Sequence, residues 1–476
     1  MFENKKTISL QTAIFPIIVL VFLLAINVSI YGDNALEGSN QFILLIGASI
    51  ASLIGFKNKI SYRFMIDKVA DNLKSTTGAI LILLFVGALA GTWLISGIIP
   101  AMIYYGLKII DPSIFLPSCI IISAIISLAT GSSWSTSATV GIALIGIGKA
   151  LGFPPGMVAG AVISGSYFGD KLSPLSDTTN LASAMSGCDL FVHIKYMLYT
   201  TIPSILVTII VFLFLGFFQD ISTEHNSSTI IESIEQVFNL NISLFIVPAL
   251  VILMILKKTP PLIALMIGTL LGGIFAVIFQ PTIVHQITNS NELNLISGYM
   301  GIMNAMTIYT EIPTSNELLN DLFQSGGMQG MLGTIWLVIC AMVFGGVMDS
   351  IGALTSISNS LLKSAKSTFG LILSTSASCI SINLTASDQY LSIVIPGKMF
   401  DKAYKDRKLA PENLSRTLED SGTVTSVLIP WNTCGAYQSN VLGVNVSDYF
   451  IYAIFNWISP VTTLVYAYFK IKIAKI

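Results

Sequence analysis

The stretch SGSYFGDKLSPLSDTTNL, residues 164–181, breaks an otherwise oily chain. Asp170, Lys171 and Asp177 arrive close together here, among serines, threonines, a proline and an asparagine. The residues on either side are Ala, Val, Ile, Met and Gly. Of the 476 residues only 10% are charged and 53% are hydrophobic, against about 25% charged in soluble domains. Mean hydropathy is +0.79. Such a chain cannot cover itself with polar surface in water, so the sequence reads as an all-α polytopic membrane protein whose main partner is lipid. The polar stretch must then be tolerated at membrane depth.

Composition excludes several functions. The net charge is −1 and there is no basic tail, so nucleic acid is not a partner. Five cysteines stand singly, without a Cys-x-x-Cys, and read as small buried hydrophobes. No two of the three histidines are close in sequence, which leaves no zinc or haem motif and no cofactor to expect.

A spanning helix needs about 20 apolar residues. Clear candidates are 8–30, 41–56, 77–107, 190–218, 240–256, 259–280, 331–361 and 447–470. The run after MFENKK is too long for a signal-peptide core and reads as an uncleaved first span. Regions 113–188 and 367–441 are apolar but broken by polar clusters. Positive charge sets the orientation. Lys5 and Lys6, then Lys57 to Lys74, mark the cytoplasmic side, whereas loop 31–40 has acids and no base. Loop 219–239 also has acids and no Lys or Arg and belongs outside, so region 113–188 must cross once, net. The expectation is a re-entrant hairpin at about 113–150 and an interrupted span at about 154–188. A second hairpin at about 367–397 and an interrupted span at about 417–441 follow. That gives about ten transmembrane helices plus two re-entrant hairpins, with both termini cytoplasmic.

A shift of 255 residues aligns the two halves. It places Gly97 on Gly352, Lys108 on Lys363, Thr130 on Thr385, Ser132 on Ser387 and Asp177-Thr178 on Asn432-Thr433. The expected organisation is a first repeat, 1–218, an extracytoplasmic linker, 219–239, and a second repeat, 240–476. The copies start on opposite sides and are therefore two inverted repeats. Inverted repeats with interrupted helices are the physical signature of secondary transporters, with the site at the midplane.

Backbone that leaves helical form in a bilayer must be buried in protein or face a water-filled cavity. Four stretches fit: TGSSWSTSATVG (130–141), GDKLSPLSDTTN (169–180), NLTASDQY (383–390) and LEDSGTVTSVLIPWNTCG (418–435). Their hydroxyls, amides and carboxylates are oxygen ligands suited to a small hard cation such as Na+. The candidate cation and proton ligands are Asp170, Asp177, Asp388 and Asp349, with Ser132, Thr136, Ser173, Thr178, Asn383, Thr385, Asn432 and Thr433. Glu419 and Asp420 are candidates for a cytoplasmic gate. Lys171, beside Asp170, is an internal charge partner. Ionisable groups at membrane depth are functional candidates by default. Burial disfavours the charged form of a carboxyl group, so proton and Na+ can compete for one carboxylate.

The segments GSSWSTSATVGIALIGIG, GSYFGDKLSPLSDTTNLA, NLTASDQYLSIVIPGKMF and LSRTLEDSGTVTSVLIPWNTCGAY resemble the NhaC family of bacterial sodium–proton antiporters. The resemblance covers essentially the whole chain. It implies Na+/H+ exchange in the bacterial cytoplasmic membrane, a hairpin-containing inverted-repeat fold with elevator-type motion, and a homodimer. The family's aspartates match at Asp170, Asp177, Asp388 and Asp420. Some members resemble malate/lactate exchangers and others are linked to amino acids, so an organic-acid or amino-acid substrate is the alternative. One departure stands out: Val427 takes the place of a proline expected before Leu428-Ile429-Pro430, which softens the second break. The three arginines, Arg63, Arg407 and Arg416, all read as loop residues, which favours a cation or a zwitterion over a dicarboxylate. A channel needs no inverted pair of broken helices. An enzyme would want a base near a nucleophile, and no histidine lies in the clusters.

Overall fold

The computed structural model describes residues 8–218, 223–288, 294–314 and 316–476. Lys5, Lys6 and part of the expected linker lie outside these residues. Apart from one short antiparallel pairing of Thr310–Glu311 with Gln324–Ser325, the named elements are helical. Among the described residues, eight helices are long and apolar enough to cross a membrane, or nine if Thr229–Val237 and Ile242–Leu256, bent by 88°, form one span. Large apolar side chains such as Phe22, Leu53, Phe214 and Ile278 are exposed, as lipid-facing residues should be.

Several elements differ from the sequence expectation. The helix assigned to 77–107 begins at Tyr62 and runs 34 residues to Ile95. Ser61 caps it by accepting from the Phe64 N–H, so Arg63, Lys68 and Lys74 ride on a helix that continues past the apolar run. The chain turns at Gly97, φ 80°, into Ile98–Ile109. Region 447–470 divides into Val446–Tyr449 and Ile454–Tyr468. Part of the expected linker is a helix, Thr223–Val237. The second hairpin's return helix runs to Asp406, beyond the expected 397. Its lysines 398, 402 and 405 lie on the continuing helix.

Two halves of the chain repeat one order of elements. Helix Phe115–Thr130 ends at Gly131, which adopts φ 70°, a backbone state glycine reaches without strain. The chain returns through Ser133–Thr136, a wide π-turn and Ile142–Ala150. Helix Pro155–Leu172 then runs parallel to Phe115–Thr130. A β-carbon on Gly165 would stand 2.2 Å from the Ile120 carbonyl oxygen, and one on Gly169 2.3 Å from that of Ala124. Ser127 Oγ donates to the Ser166 carbonyl at 2.5 Å. The chain breaks at residues 173–176 and resumes as Asp177–Ser186.

In the second half, Thr368–Ala386 ends at Ser387, φ 59°, and Gln389–Asp406 returns. Pro411–Leu418 continues through a π-turn, Glu419–Thr423, and a short 3-10 turn, Ser426–Leu428. After residues 429–432 the chain resumes as Thr433–Leu442. The displacement between halves is not uniform. Gly97 and Gly352 keep the 255 spacing, but left-handed Gly131 and Ser387, and Gly187 and Gly443, stand 256 apart. The second half holds one more residue between Gly352 and Ser387. The helix cap Ser176 therefore takes the place of Asn432, and Asp177 that of Thr433.

The close parallel contact predicts a steric outcome. Gly165→Val should lower stability by about 1–3 kcal/mol, because the backbone at Ile120 cannot retreat. Gly333→Ala, with nothing within 4 Å of the new carbon, should leave the melting temperature in detergent unchanged or slightly raised. Equal melting of wild type and Gly165→Val would mean the two helices are not in backbone contact.

Candidate functional site

Both chain turns and the first helix break meet at a cavity of about 450 Å³. Its wall includes Thr130 to Trp134 from the first turn and Asp170 and Leu175 to Thr178 from the first break. Asp388, Gln389 and Tyr390 come from the second turn, and Thr433 from the second resumed helix. Ser75 and Thr76 on Tyr62–Ile95, with Lys258 and Thr259, also line it.

The aspartates occupy three different environments. Asp170 is buried at the C-terminal end of Pro155–Leu172, where the helix dipole disfavours an anion. The compensation is local: Ser133 donates to Asp170 Oδ2 from both its backbone N–H, 3.0 Å, and its Oγ, 2.8 Å. Asp388 is also buried, but it caps Gln389–Asp406 and accepts from the Leu391 N–H at 2.9 Å. There the dipole favours it. Asp177 begins Asp177–Ser186 and is exposed into the cavity, with Ser176 as the cap. Among the described residues no three His, Cys, Asp or Glu side chains gather closely enough to hold one metal ion. The carboxylates are spread round the wall.

The two turns are joined through the helix Thr433–Leu442. The Trp134 ring stacks on Tyr437, centroids 4.0 Å apart at 14°, and Tyr437 Oη donates to the Trp134 carbonyl at 3.0 Å. The Thr433 N–H donates to the Ser387 carbonyl at 3.0 Å. The second break is tied by amides. Asn383 Nδ2 donates to the Gly422 carbonyl at 2.7 Å and to Thr425 Oγ1 at 3.1 Å. Asn432 Nδ2 donates to the Asn383 carbonyl at 3.2 Å.

Of the residues picked from sequence, Asp170, Asp177, Asp388, Ser132, Thr178 and Thr433 line the cavity. Others sit elsewhere. Asp349 lies at the end of Leu332–Ser350, partly exposed, and pairs with Lys68 at 3.0 Å. It forms a helix-end ion pair and is not on the cavity wall. Thr136 and Thr385 donate to the Ser132 and Ser381 carbonyls one turn back, 2.9 and 2.8 Å. Ser173 accepts from the Leu175 N–H at 3.3 Å and shapes the break. Asn383 and Asn432 hold backbone.

Glu419 and Asp420 are not at a mouth. Both are fully buried in the π-turn. Thr178 Oγ1 donates to Glu419 Oε1 at 3.0 Å. Lys171 pairs with Asp420, not with its neighbour Asp170. The helix sets this: successive residues point in different directions, so Asp170 faces the turn and Lys171 the π-turn. Arg416, expected in a loop, is fully buried on Pro411–Leu418, with its guanidinium carbon 4.5 Å from the Tyr196 ring centroid. It does not line the cavity. Sequence reasoning missed Ser133, Gln389, Tyr390 and Lys258. The signal for Ser133 was present, since a serine pair opening a helix offers both a cap and a free N–H.

A second cavity of about 480 Å³ lies beyond the second break. Glu37, Asn40, Gly330, Leu428, Pro430, Ala436 and Asn440 are on its wall. Thr433 faces the first cavity and Ala436 the second.

A profile of the Na+/H+ antiporter family matches residues 165–471. The chain is 36% identical over 473 residues to the Na+/H+ antiporter NhaC of Alkalihalophilus pseudofirmus, covering 99% of this chain and 98% of that one. It is 37% identical over 472 residues to the malate-2H+/Na+-lactate antiporter of Bacillus subtilis, covering 97% and 96%. It is 30% identical over 469 residues to the arginine/ornithine antiporter ArcD of Halobacterium salinarum, covering 98% and 93%.

The cavity wall is testable without any substrate. In a cysteine-free background, Tyr390→Cys should react readily with a small hydrophilic maleimide, since Tyr390 is 38% exposed in the wall. Asn383→Cys, at 0% exposure, should stay unlabelled. Comparable labelling of the two would show that Tyr390 does not face an accessible cavity.

Proposed function

The chain belongs to the Na+/H+ antiporter family, and from that premise we propose that it exchanges Na+ for H+ across the bacterial cytoplasmic membrane, with both ions using the carboxylates at the helix breaks. The family is one of transporters, not enzymes. The observation that carries the reading is the pair of cavities separated by one turn of Thr433–Leu442. A site reached from one face, with a second space waiting on the other, is what alternating access requires.

Exchange then follows from charge. Asp177 is the carboxylate most open to the cavity and meets an entering cation first. Asp170 and Asp388, buried behind it, are stable with a proton or with a cation beside them. A cation that displaces a proton from the same group gives obligatory exchange. Two inverted repeats, one hairpin each, account for the repeated order of elements. The lysine-rich loops put the termini in the cytoplasm, and the crossing order behind that reading is supported by two ion pairs. Lys68–Asp349 and Lys108–Glu235 each join residues that the charge rule puts on one side. Lys258, on the wall of the first cavity, is then on the cytoplasmic side, and Glu37, on the wall of the second, on the outer side.

A second reading is favoured by one observation. A cavity of about 450 Å³ with an aromatic wall is far larger than a bare Na+ needs. An organic acid or amino acid could occupy it, and two of the relatives are named for such solutes. No arginine lines it, which favours a substrate carrying an ammonium group over a dicarboxylate.

Proteoliposomes with an internal pH dye separate the readings. Na+ alone should drive a pH change, and Asp177→Asn should reduce its initial rate by more than about tenfold, a loss of roughly 1.4 kcal/mol of coupling. Its melting temperature should stay close to wild type, because Asp177 is exposed. Asp388→Asn should raise the apparent KM for Na+. Silence until lactate, malate or an amino acid is added makes the chain an exchanger of organic solutes instead.

A further inference from the structure

Behind the cavity lies an ion pair that none of its wall uses. Lys171 Nζ contacts Asp420 Oδ1 and donates to Ser459 Oγ at 2.6 Å. It also lies 5.2 Å from the Phe455 ring centroid. Asp420 Oδ2 accepts from Thr200 Oγ1 at 2.9 Å and from Thr463 Oγ1. Ser459 Oγ lies 3.0 Å from Asp420 Oδ1. Lys171 and Asp420 are both fully buried, and neither lines the cavity. Four elements converge on the pair: Pro155–Leu172, the Glu419–Thr423 turn, Leu190–Phe218 and Ile454–Tyr468.

The connections from this pair lead back to the cavity by two routes. Lys171 follows Asp170, and its carbonyl accepts from Thr179 Oγ1 at 3.2 Å. Asp420 follows Glu419, which accepts from Thr178 Oγ1 at 3.0 Å. Asp170 in turn is held by Ser133. The result is a closed circuit: first turn, end of the first helix, buried pair, π-turn and start of the resumed helix. If the pair loosens, both Asp170 and Thr178 are free to shift.

Stability alone does not explain a charged pair here. Replacing a buried ion pair by well-packed hydrophobic residues of similar size is often neutral or stabilising, whereas removing one partner strands a charge and costs several kcal/mol. What a fixed, many-partnered pair supplies is geometry. We propose that Lys171 and Asp420 are positioning residues, a clasp across the first helix break that fixes Asp170 and Thr178 at the spacing Na+ binding requires. This rests on the placement of the Na+ site at the cavity. The clasp touches neither the ion nor the cavity.

The test compares single and double variants for equilibrium binding of radioactive Na+ and for melting temperature, in the purified full chain. Lys171→Gln and Asp420→Asn alone should each melt early, since each leaves a buried charge unpaired. The double variant Lys171→Gln/Asp420→Asn should recover most of the melting temperature yet bind Na+ about tenfold more weakly, a 1.4 kcal/mol loss. In proteoliposomes it should raise the KM for Na+ more than it lowers the maximal rate. Recovered melting with wild-type Na+ affinity would overturn the clasp and leave the pair a packing element. Asp170→Asn serves as the control. Wild-type affinity in that variant removes the site, and the clasp with it. Lost affinity there beside a wild-type double variant removes the clasp alone.

Discussion

A lipid bilayer offers no water to backbone groups, and this constraint organises the rest of the molecule. The chain leaves helical form at residues 173–176 and again at 429–432. Each opening frees N–H and C=O groups that must find partners inside the protein. The structure meets this by laying a hairpin beside each broken helix. Gly165 and Gly169 let the first pair approach to backbone contact. Asn383 and Asn432 perform the corresponding task at the second, with side-chain amides standing in for missing helical bonds. Without this cover the breaks would be too unfavourable to keep, and without the breaks no polar groups would reach the middle of the chain.

Charge is handled by the same economy of partners. Asp170 is held by two donors from Ser133, and Asp388 by a helix start. Asp177 keeps access to water, whereas Asp420 takes a lysine. These solutions differ in what they leave available. A carboxylate neutralised by a fixed lysine has little reason to bind a passing cation. One held only by hydroxyls and amides still carries a charge to be matched. The division between Asp420 behind the wall and the other three on it follows from that difference.

Much of this was legible in the sequence. Composition fixed the membrane class, and a polar run between apolar ones located both breaks and both turns. The three cavity aspartates were recognisable because carboxylates are so unfavourable at membrane depth. What stayed hidden depended on direction and not on position. Asp170 and Lys171 are neighbours in sequence yet face opposite partners, so adjacency misled. Glu419 and Asp420 sit close to a run of lysines and looked like mouth residues, but the helix from Pro411 carries them inward. Asp349 shared its glycine-rich surroundings with the breaks, but its helix never opens. A uniform repeat spacing paired Asp177 with Asn432, and a single added residue in the second half moved that partnership to Ser176.

The partition between the two cavities is one turn of a single helix. Thr433 and Ala436 lie on one helix, and one turn of α-helix rises about 5.4 Å. A β-carbon on Gly435 would stand 2.1 Å from the Ile429 carbonyl oxygen, so the resumed helix rests directly on the broken backbone behind it. No layer of side chains intervenes there. A displacement on the scale of one helical turn would carry Thr433, and the turns bonded to it through Ser387 and Trp134, from one cavity's reach to the other's. Because the Trp134–Tyr437 stack and the Thr433–Ser387 bond join both turns to this helix, such a shift would carry the helix and the two turns together.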